Sequence, residues 1–292
     1  MTISFIIPAF NEEAEIGAVL SGLKDAYPDC ELIVVDDGSS DLTAKAAQSA
    51  GPDKIIRHHR NRGLGAAIKT GSREATGDFI VIADADGQHT REAISKVVAC
   101  LRENEDMDCC LTERVNIYTS GFIRTMGKIL INFIVKRLTG EKLHDNNCGL
   151  RAFRRKKIIP FFHLLPDGFS FSTTSTVLAY KEDFNIRWVK IRMEKRRSGT
   201  SQVKMKHGFD TLMLIFRLIV IFDPLNFFLP LAKYSFLFGI LSMVVSMAIS
   251  EDLGKNYIFF LLFGSLAFVL GLVSEQITNL RKEIGFLKID DR

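Results

Sequence analysis

Along residues 1–112, short apolar runs alternate with longer stretches of helical periodicity. Ile3–Ile7, Leu32–Val35, Lys54–Arg57, Phe79–Ala83 and Asp108–Leu111 read as strands. Between them, Glu12–Ala26 repeats apolar residues at Ile16, Val19, Leu20 and Leu23 with acids in its first turn, and Leu42–Ala50 opens behind Asp41. Leu64–Ala75 and Arg91–Arg102 are the next helices. Strands separated by helices predict an α/β fold, a mostly parallel sheet with helices on both faces. Ligands of such sheets bind beyond the carboxyl ends of the strands. Polar clusters fall there: Asn11-Glu12 after the first strand, Asp36-Asp37 after the second and Asp84-Ala85-Asp86 after the fourth.

Residues 113–205 are less regular. A helix is expected over Phe122–Leu138, a strand over Gly149–Phe153, a helix over Thr173–Lys181 and a strand over Ile186–Arg192. Lys195-Arg196-Arg197-Ser198-Gly199-Thr200-Ser201 then reads as a loop. After Lys206 the pattern changes. Thr211–Phe222 is interrupted only by Arg217 and is too short to span a bilayer, so it is expected to lie along the interface. Tyr234–Ser250 is 17 uncharged residues, extended backwards past Lys233 by Leu225–Ala232, and Asn256–Ser274 is 19 more. At ~1.5 Å per residue these reach roughly 26–28 Å, and more with their flanks, against a hydrocarbon core of about 30 Å. Glu251–Lys255 makes them a hairpin. Both stretches are apolar all round, which fits lipid better than the interior of a small soluble body.

The chain has 292 residues, 47% hydrophobic and 25% charged, which excludes disorder and allows one large domain with an appendage. The first 200 residues hold no uncharged run near 18, which excludes a polytopic transporter. The net charge of +4 is unevenly spread. Lys181–Arg217 carries ten basic and four acidic residues, a local excess of +6 that leaves −2 elsewhere. A basic band just before the most apolar segment points to phosphate or anionic headgroups and away from nucleic acid. The link between the two apolar helices is acidic, whereas Lys204, Lys206 and Arg217 precede them and Arg281, Lys282 and Lys288 follow, so the positive-inside bias places both ends in the cytoplasm. Cys30, Cys100, Cys109, Cys110 and Cys148 show no metal spacing and read as reduced thiols. The opening apolar run, Ile3–Pro8, is too short for a signal peptide.

Asp84-Ala85-Asp86-Gly87-Gln88-His89 is the sharpest constellation. Two carboxylates flanking one small residue, in a glycine turn at the end of a buried strand, can share one Mg²⁺ or Mn²⁺ that keeps water and takes further oxygens from phosphate. A carboxylate in Asp36-Asp37-Gly38-Ser39-Ser40-Asp41 can accept from a nucleobase or ribose, with Gly38 allowing close backbone approach and Asp41 capping a helix. Asn61-Arg62-Gly63-Leu64-Gly65 superficially follows the dinucleotide fingerprint, but Ile68 occupies the third glycine position. Glycines opening a helix still suit a diphosphate or its sugar. The six histidines, His58, His59, His89, His144, His163 and His207, show no ligand spacing and read as structural.

Pro8-Ala9-Phe10-Asn11-Glu12, Asp36-Asp37-Gly38-Ser39, Asn61-Arg62-Gly63-Leu64-Gly65 and Asp84-Ala85-Asp86-Gly87-Gln88-His89 together resemble glycosyltransferase family 2, in the order and spacing of the nucleotide-sugar half of its GT-A fold. Asp145-Asn146-Asn147-Cys148-Gly149-Leu150-Arg151-Ala152-Phe153-Arg154-Arg155 and Arg196-Arg197-Ser198-Gly199-Thr200-Ser201 are similar to the acceptor-side motifs of dolichol-phosphate mannosyltransferase and its bacterial polyprenyl-phosphate relatives, as is the apolar hairpin. The resemblance implies that Asp84, Asp86 and Gln88 hold Mg²⁺ or Mn²⁺ and the donor diphosphate. Pro8, Phe10, Asn11, Glu12, Asp36, Asp37, Asn61, Gly65 and Ala85 join them on the donor. Arg114, Arg124, Arg151, Arg196 and Ser201 would grip the acceptor phosphate, with Asp84, Asp86, Asp145 and Arg196 as the catalytic set. Departures from the family pattern lie on the acceptor side: Thr112-Glu113-Arg114 replaces Gly-Ser-Arg, Gly127 or Lys128 replaces a serine, and Gln202 replaces a lysine.

The expected reaction is transfer of a sugar from a UDP- or GDP-linked donor to a polyprenyl phosphate, inverting at the anomeric carbon. A lipid phosphate is already anionic near pH 7 and requires positioning more than a base. Asp145 is either a base, were the acceptor a hydroxyl, or a residue that orients an arginine. A polysaccharide synthase is the first rival, but Phe184 stands where its Gln-x-x-Arg-Trp pattern needs glutamine before Arg187-Trp188, and too few spans follow. A catalytically silent nucleotide-sugar-binding subunit is the second, against which intact Asp84 and Asp86 argue. The expected organisation is a cytoplasmic catalytic domain over 1–206, an interfacial helix over 207–224, two spans over 225–278 and a cytoplasmic tail over 279–292, in the cell membrane, compatible with a homo-oligomer.

Overall fold

The computed structural model describes residues 1–115, 122–141, 145, 148–194, 207–249 and 256–290. The chain divides into two units, Met1–Thr211 and Leu212–Arg292.

The first unit is built on β1 (Ile3–Ala9), β2 (Glu31–Asp36), β3 (Lys54–Arg57), β4 (Phe79–Ile82), β5 (Cys109–Arg114), β6 (Arg151–Arg154) and β7 (Ile186–Ile191). They form one sheet in the order β3-β2-β1-β4-β6-β5-β7. All neighbours are parallel except β6, which runs antiparallel to both β4 and β5. β1 and β4 are buried at every position because helices cover both faces. The helices are α1 (Ile16–Ala26), α2 (Thr43–Ser49), α3 (Leu64–Glu74), α4 (Arg91–Glu103), α5 (Phe122–Thr139), the single turn α6 (Arg155–Ile158) and α7 (Phe171–Lys181), with a 3₁₀ turn at Ile159–His163. Ile16, Leu20 and Leu23 of α1 and Val97, Val98 and Leu101 of α4 bury the stripe their spacing predicts, against Phe5, Ile7 and Val81.

Four elements of this unit differ notably from the sequence expectation. α1 begins at Ile16 and not at Glu12, because the Glu12 and Glu13 amides donate to Thr43 Oγ1 and Asp41 Oδ2, at 2.8 and 3.2 Å, before the helix starts. β5 runs three residues past Leu111, since β7 pairs with it as far as Arg114↔Ile191. α6 and the 3₁₀ turn fall where no periodicity marks them.

The strand order reverses between the parallel neighbours β1 and β4, from which the sheet runs outward both ways. The crevice beyond the carboxyl ends of this pair is the switch point of the sheet. Antiparallel β6 adds to it. Its pairing Ile82↔Arg151 starts β6 beside the end of β4, which delivers Cys148, Gly149 and Leu150 to the same edge.

The second unit contains most of α8 (His207–Phe222), all of α9 (Pro224–Ile249) and all of α10 (Asn256–Asp290). α9 continues through Pro230 and Lys233, and α10 runs past 278, where a separate tail is expected. Pro224–Met247 and Asn256–Arg281 are long and apolar enough to cross a membrane, and only 17% of each apolar window is buried, unlike a soluble core helix. Gly264 lets α10 meet Ala232 and Phe236 of α9, and Ser235 Oγ donates to the Phe260 carbonyl at 2.7 Å. Small residues and a satisfied hydroxyl are what hold helices together where lipid removes the hydrophobic drive.

Candidate active site

The loops after β1 and β2 are laced together. Asn11, at φ 56°, receives Ser40 N–H on Oδ1 at 2.9 Å, and its own amide donates to Ser39 Oγ at 3.0 Å. Asp41 accepts from Thr43 N at 3.0 Å just ahead of α2, although the N-cap position itself is Leu42 and not Asp41 as expected. Asp37 is buried and accepts from Arg62 N, Gly63 N and His58 Nδ1 at 3.0, 2.7 and 2.6 Å, while His58 Nε2 meets Thr70 Oγ1 at 3.0 Å. The Asp37 carboxylate thus pins the 58–63 loop over the β2 end, and Gly38 admits that loop: a Cβ there would stand 2.6 Å from the Arg60 carbonyl carbon. Asp36 is fully buried, pairs with Arg57 at 3.0 Å and accepts from Ser39 N at 2.9 Å. The expected donor contact of Asp36 is therefore replaced by an internal brace. Pro8 and Ala85 are buried, Phe10, Asn11, Glu12 and Gln88 half-buried, and Asn61 exposed.

Gly65 also departs from expectation. The start of α3 is filled by protein, with Ala66 N donating to the Asp167 carbonyl at 3.0 Å and the Gly65 Cα facing the Pro166–Asp167 backbone too closely for any side chain. Lys69 holds that segment through Asp167 and the Leu165 carbonyl. The glycines serve backbone-to-backbone packing, which spends the Ala66 amide on Asp167, while the Gly63 amide is spent on Asp37.

Asp84 and Asp86 lie at the switch point, both partly exposed. Gly87, at φ 71°, turns the loop back so that His89 Nε2 comes 3.0 Å from Asp84 Oδ2. Burial opposes ionisation of Asp84, but the His89 hydrogen bond and the Arg151 and Arg114 charges outweigh it and hold the carboxyl below its usual value. Asp86 Oδ1 accepts from Gln88 N at 3.1 Å. Gln88 donates its side-chain amide to the Glu194 carbonyl at 3.2 Å, and Glu194 N returns a bond to Gln88 O at 3.0 Å. With the His89–Met193 bridge, these bonds tie the loop to the chain following β7.

Among the described residues, no three His, Cys, Asp or Glu side chains are grouped to hold a metal unaided. Two carboxylates one residue apart, one of them held ionised, fit a hard cation that takes its other oxygens from water and phosphate. Gly149 sharpens the fit: a Cβ there would stand 2.9 Å from Asp84 Cγ and Oδ1, so the carboxylate occupies the space a larger residue would fill.

Across β6, Asp145 is 2% exposed and takes Arg114 in a fork, Nε to Oδ2 at 2.5 Å and Nη2 to Oδ1 at 2.9 Å. This bond raises the Arg114 pKa, while burial works against it. The two residues meet because Thr112 Oγ1 donates to the Leu150 carbonyl at 2.5 Å, fastening β5 to the segment that enters β6. Arg151 corrects an expectation. It is 2% exposed, and its guanidinium is spent on the Cys148 and Ser172 carbonyls and the Ser175 and Thr176 hydroxyls, leaving it no access to a lipid phosphate. Arg124 falls in the first turn of α5, where only backbone is described, and Arg196 and Ser201 lie outside the described residues. His89 and Gly149 are the site residues that sequence reasoning missed. Nothing in the spacing marks them, because both act by touching Asp84.

The pattern of glycosyl transferase family 2 matches residues 4–162, and that of the GtrB C-terminal hairpin matches residues 223–280. An undecaprenyl-phosphate 4-deoxy-4-formamido-L-arabinose transferase of Shewanella sediminis is 29% identical over 97% of this chain and 88% of its own. The corresponding transferase of Proteus mirabilis is 36% identical over 52% of this chain and 49% of its own. An uncharacterized protein of Methanocaldococcus jannaschii is 36% identical over 64% of this chain and 79% of its own. Among solved structures, glucosyl-3-phosphoglycerate synthase from Mycobacterium tuberculosis, in complex with Mn²⁺, UDP-glucose and phosphoglyceric acid, superposes with a TM-score of 0.60 at 21% identity, over 75% of this chain and 78% of that one. That likeness is one of fold, the expected GT-A arrangement. With the family pattern spanning more than half its length and the carboxylate loop at the switch point of its sheet, this chain belongs to glycosyl transferase family 2.

Proposed function

We propose that this chain transfers a sugar from a UDP- or GDP-linked donor to a polyprenyl phosphate at the cytoplasmic face of the cell membrane, with inversion at the anomeric carbon. The observation that carries the reading is the Arg114–Asp145 fork. A general base needs a carboxylate oxygen that can reach an acceptor hydroxyl, whereas buried Asp145 directs both oxygens to Arg114. The carboxylate instead holds a half-buried guanidinium beside the carboxylate loop, the arrangement suited to an acceptor that is already an anion. α5, which carries Arg124, exposes Ile129, Leu130 and Phe133, an apolar surface compatible with a prenyl chain. The two apolar helices and the full-length similarity to undecaprenyl-phosphate transferases support the same acceptor.

In this reading Asp84 and Asp86 hold Mg²⁺ or Mn²⁺, with Gln88 in the same loop. Mn²⁺ and Mg²⁺ accompany UDP in the M. tuberculosis synthase structures. The ion, when bound, stabilises charge developing on the departing nucleoside diphosphate. The laced loops after β1 and β2 present Pro8, Phe10, Asn11, Glu12 and the Asp37-braced 58–63 segment to the nucleoside. Arg114, oriented by Asp145, directs a phosphate oxygen of the acceptor at the anomeric carbon, while Arg124, Arg196 and Ser201 complete the phosphate grip. No proton leaves the nucleophile, so no base is required.

The test is incubation of the purified full-length chain with Mn²⁺, undecaprenyl phosphate and a panel of labelled UDP- and GDP-sugars. Label entering the lipid fraction, with release of UDP or GDP, is the expected result. High-molecular-weight polymer, or no turnover with any donor, overturns the reading.

A further inference from the structure

His89 is unusual for a buried histidine. Its side chain is only 2% exposed, and among the described residues its one hydrogen bond runs from Nε2 to Asp84 Oδ2 at 3.0 Å. The other ring nitrogen, Nδ1, is buried without a partner. Leaving a buried polar atom unsatisfied costs stability, so a ring kept only for packing would be better replaced by an apolar one of similar size. The imidazole is also held from both sides of the chain. The antiparallel bridge to Met193 fixes the His89 backbone, and Thr90 caps α4 by accepting from Ala93 N at 3.1 Å. His89 lines a groove between α1 and α4, together with Glu15, Val19, Leu23, Tyr27 and Ile94.

Asp84 is correspondingly confined. Gly149 stands against the carboxylate, closest to Oδ2, and His89 Nε2–H takes the same oxygen. An aspartate has few rotamers, and fixing one oxygen fixes the other. Protein groups that fix a metal-binding carboxylate in this way typically change metal affinity 10–100-fold when removed.

We infer that His89 is a positioning residue for Asp84: its Nε2–H holds Oδ2 so that Oδ1 is presented to the divalent cation. The inference rests on the metal role given to Asp84 and Asp86 in the proposed function.

The test is a titration of the full-length chain in detergent with Mn²⁺, free ion being read by electron paramagnetic resonance and folding by thermal unfolding. His89→Phe keeps the ring and removes the donor; the expected result is a ~10–100-fold weaker Mn²⁺ dissociation constant. His89→Ala gives the same result should the phenyl ring not be accommodated. His89→Gln, which can still donate an N–H, restores affinity to within a few-fold of wild type. On an Asp84→Asn background, His89→Phe has no further effect on Mn²⁺ affinity, because the carboxylate it positions is gone. In transfer assays the variant raises the Mn²⁺ concentration for half-maximal rate more than it lowers kcat at saturating Mn²⁺. Unchanged Mn²⁺ affinity in His89→Phe and His89→Ala overturns the inference and leaves the proposed function standing. So does a loss in His89→Gln equal to that in His89→Phe, or a loss that persists on Asp84→Asn. If wild type binds Mn²⁺ no better than Asp86→Asn does, the metal assignment falls and the inference falls with it.

Discussion

Gly149→Ala isolates the geometry of Asp84 from its chemistry. The added Cβ would stand 2.9 Å from Asp84 Cγ and Oδ1. Carbon contacts relax at about 3.5–4.0 Å and Asp84 Oδ2 stands nearer still, so the carboxylate has to withdraw by about 1 Å or more. That shift also stretches the 3.0 Å bond from His89. Misplacing a reacting group by about 1 Å costs on the order of 10²-fold in rate, equivalent to about 2.7 kcal/mol in the barrier. The effect on folding is smaller. Alanine in place of glycine stabilises by about 0.4–1 kcal/mol through the unfolded chain, offset by up to about 1.5–3 kcal/mol if the hydrogen bond to the ionised Asp84 is lost. The expectation is a kcat/KM roughly a hundredfold lower, measured with labelled donor and polyprenyl phosphate, on a protein whose thermal midpoint falls by only a few degrees. Mn²⁺ affinity falls in parallel, and Gly149→Ser behaves like alanine or worse. A variant with wild-type turnover would refute the argument that this glycine reserves room for Asp84. Global unfolding would refute the argument that the strain is absorbed by a side chain.

Three other outcomes are expected. Asp86→Asn abolishes transfer while circular dichroism and the melting curve stay near wild type, because an amide oxygen can still accept from Gln88 N; near-normal turnover would remove Asp86 from the metal site. Glu31 is pulled down from 4.5 to about 2: burial works against its charge, but bonds from Ser4, Thr76 and Lys54 outweigh burial. A depressed carboxylate stabilises the fold fully above its unfolded pKa of about 4.3 and loses that contribution as pH falls toward 2. Glu31→Gln therefore flattens the acid limb of the stability curve between pH 4.5 and 2, and an unaltered limb would contradict the assignment. The Cys100 thiol is lowered from its ordinary value by a hydrogen bond from Cys110, with burial opposing. Of the cysteines, it is expected to react first with iodoacetamide at pH 8, ahead of buried Cys109 and Cys148. Its rate at pH 7 drops in Cys110→Ala, and preferential labelling of Cys109 would sink the argument.

Much of the sheet was legible because its strands and helices obey the period of the element they form. Lys54–Arg57 matches its strand at both ends, and β1, β2, β4, α3 and α4 lie within one or two residues of their apolar patterns. What the pattern did not show depends on partners distant in sequence. Leu111 looked like the end of a strand because Thr112-Glu113-Arg114 is polar, yet β7 extends the ladder along its other edge. The direction of β6 left no trace either, since a four-residue strand reads alike whichever way it runs. The site divides in the same way. Asp84 and Asp86 were visible because they are adjacent and follow a buried strand. Gly65 looked like a phosphate cradle because a glycine admitting protein backbone and one admitting a ligand are the same letter. Arg151 looked like a phosphate grip because it lies in a motif that resembles the acceptor side of the family, and nothing local in the chain shows that Cys148, Ser172, Ser175 and Thr176 enclose it.

The carboxylates at this sheet edge separate by what they are spent on. Asp36, Asp37 and Asp145 are 0, 3 and 2% exposed and bind Arg57 and Ser39, the 58–63 loop, and Arg114. Each uses its charge to fix a backbone segment or a cation of the protein, and burial makes those bonds stronger than they would be in water. Asp84 and Asp86 are less enclosed, and the charges nearest Asp84 are positive. The Arg114 and Arg151 charges that keep Asp84 ionised also produce a positive field at the β4–β6 edge, where a nucleoside diphosphate and an anionic acceptor would have to approach one another. Two anions meeting there repel, and fixed guanidinium charges lower that repulsion without reorganising during the reaction. Buried Arg151 therefore acts at a distance: it does not touch phosphate, but its charge tunes the carboxylate and the cavity beside it. A neutral residue such as methionine at 151 raises the Asp84 pKa, and so weakens Mn²⁺ binding first at the acidic end of the working range. Arg151→Lys retains the charge and restores binding there. Equal losses in both variants at every pH would assign Arg151 to packing alone.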